Sequence, residues 1–496
     1  MFKFQMGKPI LAAMGACAAV CALPGSVLAD EAQDIQQLKE QVRVLQQKVD
    51  QQSSPPKVVA TSSSTPSLTF AGITIYGTVD MGIAYLTHGA PISSQWGPGL
   101  PYFIQAFSNH SLFSVAGNGL SQSKVGISGV EPLVSDLTGV FRVETGFNPW
   151  SGRLTDGPGS LTQNNGKANA VKISAGDSSR AGQAFNGTAY AGISSKSLGT
   201  LTFGRHNGLM LDMLNKYDPQ LQAQAFSPIA LSGTSGGFGD TQSNRLDNSV
   251  KYVLNIGPAH AGYLHGFGSA GYVPQGANEA NLGFELGGFS IDALYGEVHG
   301  AVAAASLSAA NITTLNTPGP NALPGWSLSN TLAATISDNT GYSLLASYNM
   351  KEFVPIKLYA AWERIKYNNP SHTVSAGSQD IGGYVLGIVN NNAYGIQKIF
   401  TVSWVGARWS VTPDFDLTLA GYGYNQKSYN ANGCRDASAA NCAGTLKDFS
   451  LVGDYHFTKR FDTYAGVNYS DVQDGLANGF IYRSNWTTMV GARYNF

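Results

Sequence analysis

Charge and long apolar runs are both scarce in this sequence. Charged residues make up 12% of the 496 residues, about half the share found in soluble domains. After the amino terminus the chain contains no run of about 20 apolar residues, the length that a transmembrane helix needs. These two absences argue against an ordinary soluble protein and against a helical membrane bundle. The 30 basic and 31 acidic residues nearly cancel, so nothing in the composition predicts a nucleic-acid partner.

Recognisable catalytic and metal-binding patterns are also missing. The 8 histidines are scattered without a metal-type spacing such as His-Glu-x-x-His, and no Gly-x-Ser-x-Gly elbow occurs. Glycine-rich strings such as Ser235–Gly239 lack the strand-to-helix context that phosphate binding needs. We therefore expect no cofactor, no bound metal and no enzyme activity. A hydrolase site assembled from Ser and His on different strands would leave no local motif, and it stays open as an alternative.

Cysteine is rare, with 4 residues in the chain. Two of them fall within residues 1–29, which have a basic start, a short apolar segment from Ile10 to Leu23 and small residues before Asp30. This pattern predicts a secretory signal peptide. Cleavage would leave Cys434 and Cys442, which are close in sequence. In an exported protein such a pair predicts a disulfide, and a metal pair is the weaker alternative because no histidine or second pair is near.

Residues 30–53 have a helical period. Apolar residues recur at alternating steps of three and four, the a/d seam of a coiled coil: Ile35, Leu38, Val42, Leu45 and Val49. A helix of this length is only marginally stable alone in water. The segment therefore predicts that several chains associate through it, and a three-stranded coiled coil is compatible with its apolar residues. The alternative is one amphipathic helix packed on the rest of the chain or on peptidoglycan. Residues 54–67 are rich in Ser and Pro and predict a flexible linker.

The region 68–496 has a period of two residues, which is the period of β-strands. In its final segment, aromatic and apolar residues occupy one parity up to Phe496, and polar or small residues occupy the other. Such segments alternate with short turns and with long Gly/Asn/Ser-rich stretches, as in transmembrane barrels. The sequence predicts an all-β, antiparallel transmembrane β-barrel of roughly 16 strands, with about 18 as the alternative. An edge strand of a soluble sandwich is the alternative for the final segment alone.

Several strings of this region occur in a defined order. They are the first strand at Ile73–Ile83, the hairpin Ser123–Phe147, the strands Leu198–Arg205 and Arg245–Tyr252, the turn Phe457–Arg460 and the terminal strand Val490–Phe496. Together they resemble the general trimeric porins of Gram-negative bacteria, particularly the beta-proteobacterial type. The turn at Gly129–Leu133 and the added coiled coil depart from that pattern. The resemblance implies a homotrimer in the outer membrane, among its lipids, and an inward-folded constriction loop at about 206–242. It also implies that the terminal strand, with Tyr494 and Phe496, is the recognition tag for membrane insertion.

A pore works through its size and through the charges that line it. Charged residues on the polar parity of the strands should face the lumen, because charges that point into lipid are costly: Lys124, Arg142, Glu144, Arg245, Asp247, Lys251 and Arg493. The resemblance adds four residues of the constriction loop: Asp212, Lys216, Asp218 and Asp240. The cations of the strands favour anions, and the acids of the loop oppose them. We therefore predict passive diffusion of small hydrophilic solutes and ions, with a lean towards anions. The alternative is a barrel that anchors a structural or adhesive protein with a coiled-coil tether.

Overall fold

The computed structural model describes residues 68–89, 110–154, 157–168, 171, 184–231, 245–269, 275–319, 323–378, 383–434, 436 and 439–496. The predicted signal peptide (1–29), coiled coil (30–53) and linker (54–67) lie outside these residues, as does Asp240. Those predictions stay predictions. No helix within the described ranges is long and apolar enough to span a membrane.

Within the described residues, the segments with a period of two form 20 β-strands. The first ten are β1 (Leu68–Phe70), β2 (Ile73–Gly89), β3 (His110–Gly117), β4 (Lys124–Pro132), β5 (Leu137–Asn148), β6 (Arg153–Leu154), β7 (Ala189–Ser195), β8 (Gly199–Asn207), β9 (Arg245–Ile256) and β10 (Ala259–Gly266). The others are β11 (Gly276–Leu286), β12 (Phe289–Ala305), β13 (Thr331–Asn349), β14 (Ile356–Asn368), β15 (Val385–Asn390), β16 (Lys398–Thr412), β17 (Phe415–Gln426), β18 (Gly444–His456), β19 (Phe461–Asp474) and β20 (Ser484–Asn495). The helices are α1 (Gly157–Thr162), α2 (Leu209–Tyr217) and α3 (Ala309–Asn316), and Pro228–Leu231 forms a 3-10 turn.

A closed, antiparallel wall of 16 strands is built from most of these elements. Each wall strand pairs with the next along the chain, and β20 returns to β2, where Met81 lies opposite Ala492. Strands β3 and β4 together make one interrupted wall strand, because both pair with the same side of β2. The short strands β1, β6 and β15 add pairings outside this circuit. Closure leaves the wall without an edge, and the prediction of 16 strands rather than 18 is confirmed.

The two ends of the barrel differ in the length of their connections. Seven short turns lie at one end, at residues 133–136, 196–198, 257–258, 287–288, 350–355, 413–414 and 457–460. The connections at the other end are longer, and in transmembrane barrels the long loops are extracellular and the short turns periplasmic. The connection between β8 and β9 carries α2 and is described up to Leu231. We call its residues 208–231 the inner loop.

The two faces of the wall follow sequence parity. On β2, Ile83 is 49% exposed whereas its neighbour Ala84 is 1% exposed. Leucine, valine and aromatic side chains such as Val405, Leu419 and Val490 are likewise exposed on the outer face. A soluble barrel would have to keep this apolar surface in water, but a membrane removes it from water.

The inner loop packs against the inside of the wall. Its residues Leu209, Leu214 and Tyr217 are buried in one apolar cluster with Tyr367 and Trp404 of the wall. Further along the loop, Phe226 is buried in a second cluster, and its ring meets that of Tyr464 edge to face at 6.3 Å. Burying each such large side chain stabilises the loop position by about 1.5–3 kcal/mol.

Candidate functional site

The inner loop begins by following the β11–β16 side of the lumen. The backbone N–H of Leu209, in the first turn of α2, donates to Glu279 on β11. At the end of α2 the Tyr217 hydroxyl donates to Asp292 on β12 at 2.5 Å, and Trp404 Nε1 on β16 donates to the Tyr217 carbonyl at 2.9 Å. These contacts fix both ends of α2 to the wall.

The second half of the inner loop continues along β17, β18 and β19. The Tyr422 hydroxyl donates to Asp218 Oδ1 at 2.6 Å, and Gln220 Nε2 donates to Ser450 Oγ at 2.9 Å. Burial raises the pKa of the Asp218 carboxyl, and the hydrogen bonds that it accepts from Tyr422 and from backbone N–H groups oppose that rise. The loop therefore covers the inner wall from β11 to β19.

The loop then reaches the interruption between β3 and β4, where Ala225 N donates to the Gly119 carbonyl at 3.0 Å. The carboxylate of Asp80 on β2 holds this interruption in place. It accepts hydrogen bonds from the backbone N–H groups of Leu120 and Ser121, both at 2.8 Å, and from the Tyr464 hydroxyl at 2.6 Å. Asp80 is fully buried, so its role is to shape the wall where the loop ends.

The inner wall on β4, β5, β8 and β9 carries most of the predicted wall charges. On β4 and β5, one carboxylate, Glu144, pairs with Lys124 at 3.3 Å and with Arg142 at 2.8 Å. Arg142 Nε also donates to the Tyr76 hydroxyl at 2.6 Å, and its guanidinium lies 4.8 Å from the centre of the Tyr76 ring. Two cations thus share one acid.

The same wall continues on β8 and β9. Arg205 pairs with Asp247, and Lys251 pairs with Asp212 of α2. Arg205 also donates to the carbonyls of Gly187 and Asn186, both at 2.8 Å. Arg245 lies near enough to interact electrostatically with Glu144, which joins the β9 charges to those of β4 and β5.

We call the five cations of this surface the basic arc: Lys124, Arg142, Arg205, Arg245 and Lys251. Three carboxylates form ion pairs with four of them: Glu144, Asp212 and Asp247. The basic arc therefore keeps an excess of positive charge. The basic arc and these three carboxylates together include seven of the eleven predicted pore residues, namely Lys124, Arg142, Glu144, Arg245, Asp247, Lys251 and Asp212.

Two predicted residues of the inner loop differ from their expected role of lining an opening. Asp218 is fully buried against β17. Lys216 turns towards the wall, where it pairs with Asp292 at 3.0 Å and with Glu285 at 2.5 Å. The reason is that the loop packs on the wall, so the side chains on its wall-facing side point away from the open lumen. Asp240 falls outside the described residues.

Arg493 of β20 belongs to a different group of charges. It pairs with Asp462 at 2.7 Å and lies 3.7 Å from Asp454. Next to it, Asp416 pairs with Arg408 at 2.8 Å and with His456 at 3.1 Å. We call these six residues the terminal cluster; they lie near the short turns 413–414 and 457–460.

Three members of the terminal cluster have a spacing that could suit a metal ion. Ligand atoms of Asp454, His456 and Asp462 lie within 4.8 Å of one another. A cation at this position would compete with Arg493, which already pairs with Asp462, and with Arg408 nearby. The trio therefore fits a charge-balanced network better than a metal centre.

Two other predicted features involve the chain's cysteines and its carboxyl terminus. Cys434 and Cys442 form a disulfide, with their Cα atoms 5.5 Å apart, which confirms that prediction. Phe496 exchanges backbone hydrogen bonds with Gly77, at 2.9 and 3.0 Å, and its ring covers the face of Gly77 where a Cβ would lie. The ring of Tyr494 stacks on that of Phe496 at 6.4 Å, so the terminus is fixed on β2.

Comparison with known proteins assigns the family. A profile of the Gram-negative porins matches residues 16–475. An outer membrane porin protein of Bordetella pertussis is 26% identical over 196 residues, so that the alignment spans 40% of this chain and only 42% of that protein. Two solved structures share the fold. The anion-selective porin from Comamonas acidovorans is 17% identical with a TM-score of 0.53, over 86% of this chain and 99% of its own. The trimer form of OmpT from Vibrio cholerae is 12% identical with a TM-score of 0.51, and the match covers 86% of this chain and 99% of that one. Because the family match covers most of its length, this chain belongs to the Gram-negative porins, and its barrel lies in the outer membrane.

Proposed function

We propose that the barrel is a channel for passive diffusion of small hydrophilic solutes and ions. The observation that carries the proposal is the position of the inner loop. It covers the lumen wall from β11 to β19 and contacts the basic arc where Asp212 pairs with Lys251, while Lys124 and Arg142 on β4 and β5 lie beyond that contact. Solutes would pass between the loop and the basic arc, where size and lining charge select them. No bond chemistry is needed for this function.

The charges of the basic arc support a preference for anions. Five cations lie among three carboxylates, one of which is Asp212 of the inner loop, paired with Lys251; Asp218 of the same loop is buried. An excess of one sign concentrates ions of the opposite sign at a narrow passage. The structural relative from Comamonas acidovorans is itself described as anion-selective.

Planar-bilayer recording of the purified protein tests both parts of the proposal. We expect the conductance to rise in steps. Under a tenfold KCl gradient, the reversal potential should lie closer to the equilibrium potential of chloride than to that of potassium. Liposome swelling should be faster with small carboxylates than with amines of equal size. A bilayer that stays without conductance steps at high protein concentration would overturn the channel and favour a barrel that serves only as an anchor.

We further propose a homotrimer, assisted by the predicted coiled coil of residues 30–53, after removal of the predicted signal peptide. The trimer form of the Vibrio cholerae relative supports this assembly. Deleting residues 31–53 should lower the temperature at which the oligomer dissociates while leaving single-channel conductance unchanged. If the helix instead binds the cell wall, the deletion should abolish co-sedimentation with peptidoglycan and leave the oligomer intact.

The terminal strand is proposed as the tag for membrane insertion, with Tyr494 and Phe496 as its aromatic residues. Phe496→Ala should reduce the amount of barrel in the outer membrane. Phe496 also packs on Gly77, so refolding of the variant in detergent separates the two roles. A variant that refolds normally but fails to insert in cells would support the tag.

A further inference from the structure

The connection between β5 and β7 reaches far across the end of the barrel that carries the long loops. It begins beside β5, where Leu154 of β6 lies opposite Phe147. Its helix α1 then contacts the connection between β12 and β13, where the Ser306 hydroxyl donates to the Leu161 carbonyl at 2.7 Å. The wall strands β7 to β11 separate β5 from β12. The connection therefore joins two distant parts of the rim.

The chain between these two contacts is too short to follow the rim. From Leu154 to Leu161, three residues that lead into α1 reach at most about 11 Å, and four residues inside α1 rise about 6 Å. The two end contacts add about 12 Å at most. Tilted strands are about 6 Å apart along the rim, so the six spacings from β5 to β12 measure about 36 Å. The segment must therefore leave the rim and pass over the opening.

Asn165 fixes the far end of this segment. Its side-chain amide donates to the carbonyls of Leu328 and Thr331, at 2.8 and 2.7 Å, and its side-chain oxygen accepts from the backbone N–H of Leu307 at 2.7 Å. The next residue, Gly166, donates its backbone N–H to the Leu307 carbonyl at 2.9 Å. An asparagine amide has two N–H donors and one carbonyl oxygen. Asn165 uses all of them to hold both sides of the β12–β13 connection.

The upper part of the β12–β13 hairpin is a packed seat for the segment. Lower on β13, the outward-facing Tyr342 is 41% exposed. Closer to the long loops, Ile336 and Leu332 have the same parity but are fully buried. Leu161 packs against the cluster that contains them. This part of the hairpin therefore contacts loops instead of lipid, and α1 is one of the elements that cover it.

The segment itself carries little charge. Residues 157–167 contain one charged side chain, Lys167, which is exposed. The contacts that seat the segment are hydrogen bonds and apolar packing. An obstacle without an excess of lining charge acts on the size of a solute more than on its sign. It differs in this respect from the basic arc.

We propose that residues 157–167 form a cross-bar over the extracellular opening, and that Asn165 is the positioning residue that holds it there. The cross-bar divides the opening into one part above β7–β12 and a larger part above the remaining wall strands. Solutes meet this size limit before they reach the inner loop and the basic arc. The inference rests on the proposed channel function, to which it adds a second and separate size filter.

Liposome swelling with uncharged sugars of increasing size tests the cross-bar in the full-length protein. Asn165→Ala removes three hydrogen bonds, so the rate for a trisaccharide relative to a monosaccharide should rise roughly threefold. Deleting residues 157–167 should raise this ratio further. The matched control is Gln163→Ala. Gln163 lies on the same segment, and its side chain makes no hydrogen bond to the described residues, so the control should keep the wild-type ratio.

A wild-type ratio in both Asn165→Ala and the deletion would overturn the cross-bar, and so would an equal rise in Gln163→Ala. A rise in the deletion alone would overturn the role of Asn165. The reversal potential of Asn165→Ala should equal that of the wild type, and a shift would overturn the assignment to size. Heat-dependent migration in gels verifies that each variant has folded. A wild type without conductance or swelling would overturn the channel and this inference with it, whereas a conducting wild type with unchanged variants overturns the cross-bar alone.

Discussion

The basic arc and the terminal cluster use the same residue types on the same lumen wall, but they balance charge differently. In the basic arc, five cations share three carboxylates, and Lys124 and Arg142 share one of them, Glu144. In the terminal cluster, two arginines and His456 face three aspartates. A balanced network holds its side chains together, whereas an unbalanced one retains charge that acts on passing ions. We infer that the terminal cluster stabilises the wall and that the basic arc selects solutes.

The largest expected effect is on stability and comes from breaking the terminal cluster. Asp462 is nearly buried and accepts two or more hydrogen bonds from Arg493. Asp462→Ala leaves that guanidinium without its main partner, so unfolding in detergent should require about 3–5 kcal/mol less. Reversal potentials should change little. The control Asp414→Ala removes an exposed acid of the neighbouring turn and should be neutral; a variant with unchanged stability but altered ion preference would reverse the roles assigned to the two regions.

The next effect concerns the loop that faces the basic arc. Asp218→Asn keeps the shape of the side chain but weakens the hydrogen bonds from Tyr422 and from the backbone of Gln222. Hydrogen bonds to a charged group contribute about 1.5–3 kcal/mol, so the inner loop should open more often. Single-channel records should show added noise and a higher mean conductance. Asp414→Asn, which neutralises an exposed acid of a short turn outside the loop, is the control and should leave the noise unchanged.

Much of this architecture follows from the period of the sequence. A period of two assigns every wall residue to one face, so Lys124, Arg142, Glu144 and Lys251 could be placed in the lumen without a structure. The number of wall strands was estimated from the length of the region 68–496, which suits about 16 membrane-spanning strands with their connections. Chain closure also followed, because a strand edge cannot remain unpaired in lipid.

The remaining features depend on contacts that have no period. Asp218 and Lys216 lie on a loop whose path is fixed by packing on the wall, so their burial could not be predicted. Arg205 was missed for a related reason. Parity would place it with the exposed Phe203, but the pairing of β8 with β9 shifts between Gly204 and His206 and brings Arg205 to Asp247. Asp80 and Tyr464 are separated by 384 residues, which local patterns cannot connect.

A smaller effect is expected from reversing one charge of the basic arc. Lys124→Glu leaves Glu144 paired with Arg142, so the barrel should fold normally. The substitution lowers the excess of positive charge by two. The interaction energy between one unit charge and an ion 4 Å away is about 1 kcal/mol in water. The chloride-to-potassium permeability ratio should fall several-fold. Lys351→Glu changes charge equally on an exposed turn; an identical shift in that control would show that selectivity follows net charge rather than the basic arc.

The smallest effect should come from changing the shape of a cation without changing its charge. Arg205 bridges Asp247 and the carbonyls of Asn186 and Gly187 through separate nitrogens, and a lysine ammonium cannot reproduce that planar arrangement. Arg205→Lys should therefore lower stability by about 1 kcal/mol, the value of a typical hydrogen bond, and leave the reversal potential unchanged. Arg205→Gln, which removes the charge, should shift the reversal potential towards potassium. If both variants shift it equally, the basic arc acts through the position of residues 186–187 rather than through its excess charge.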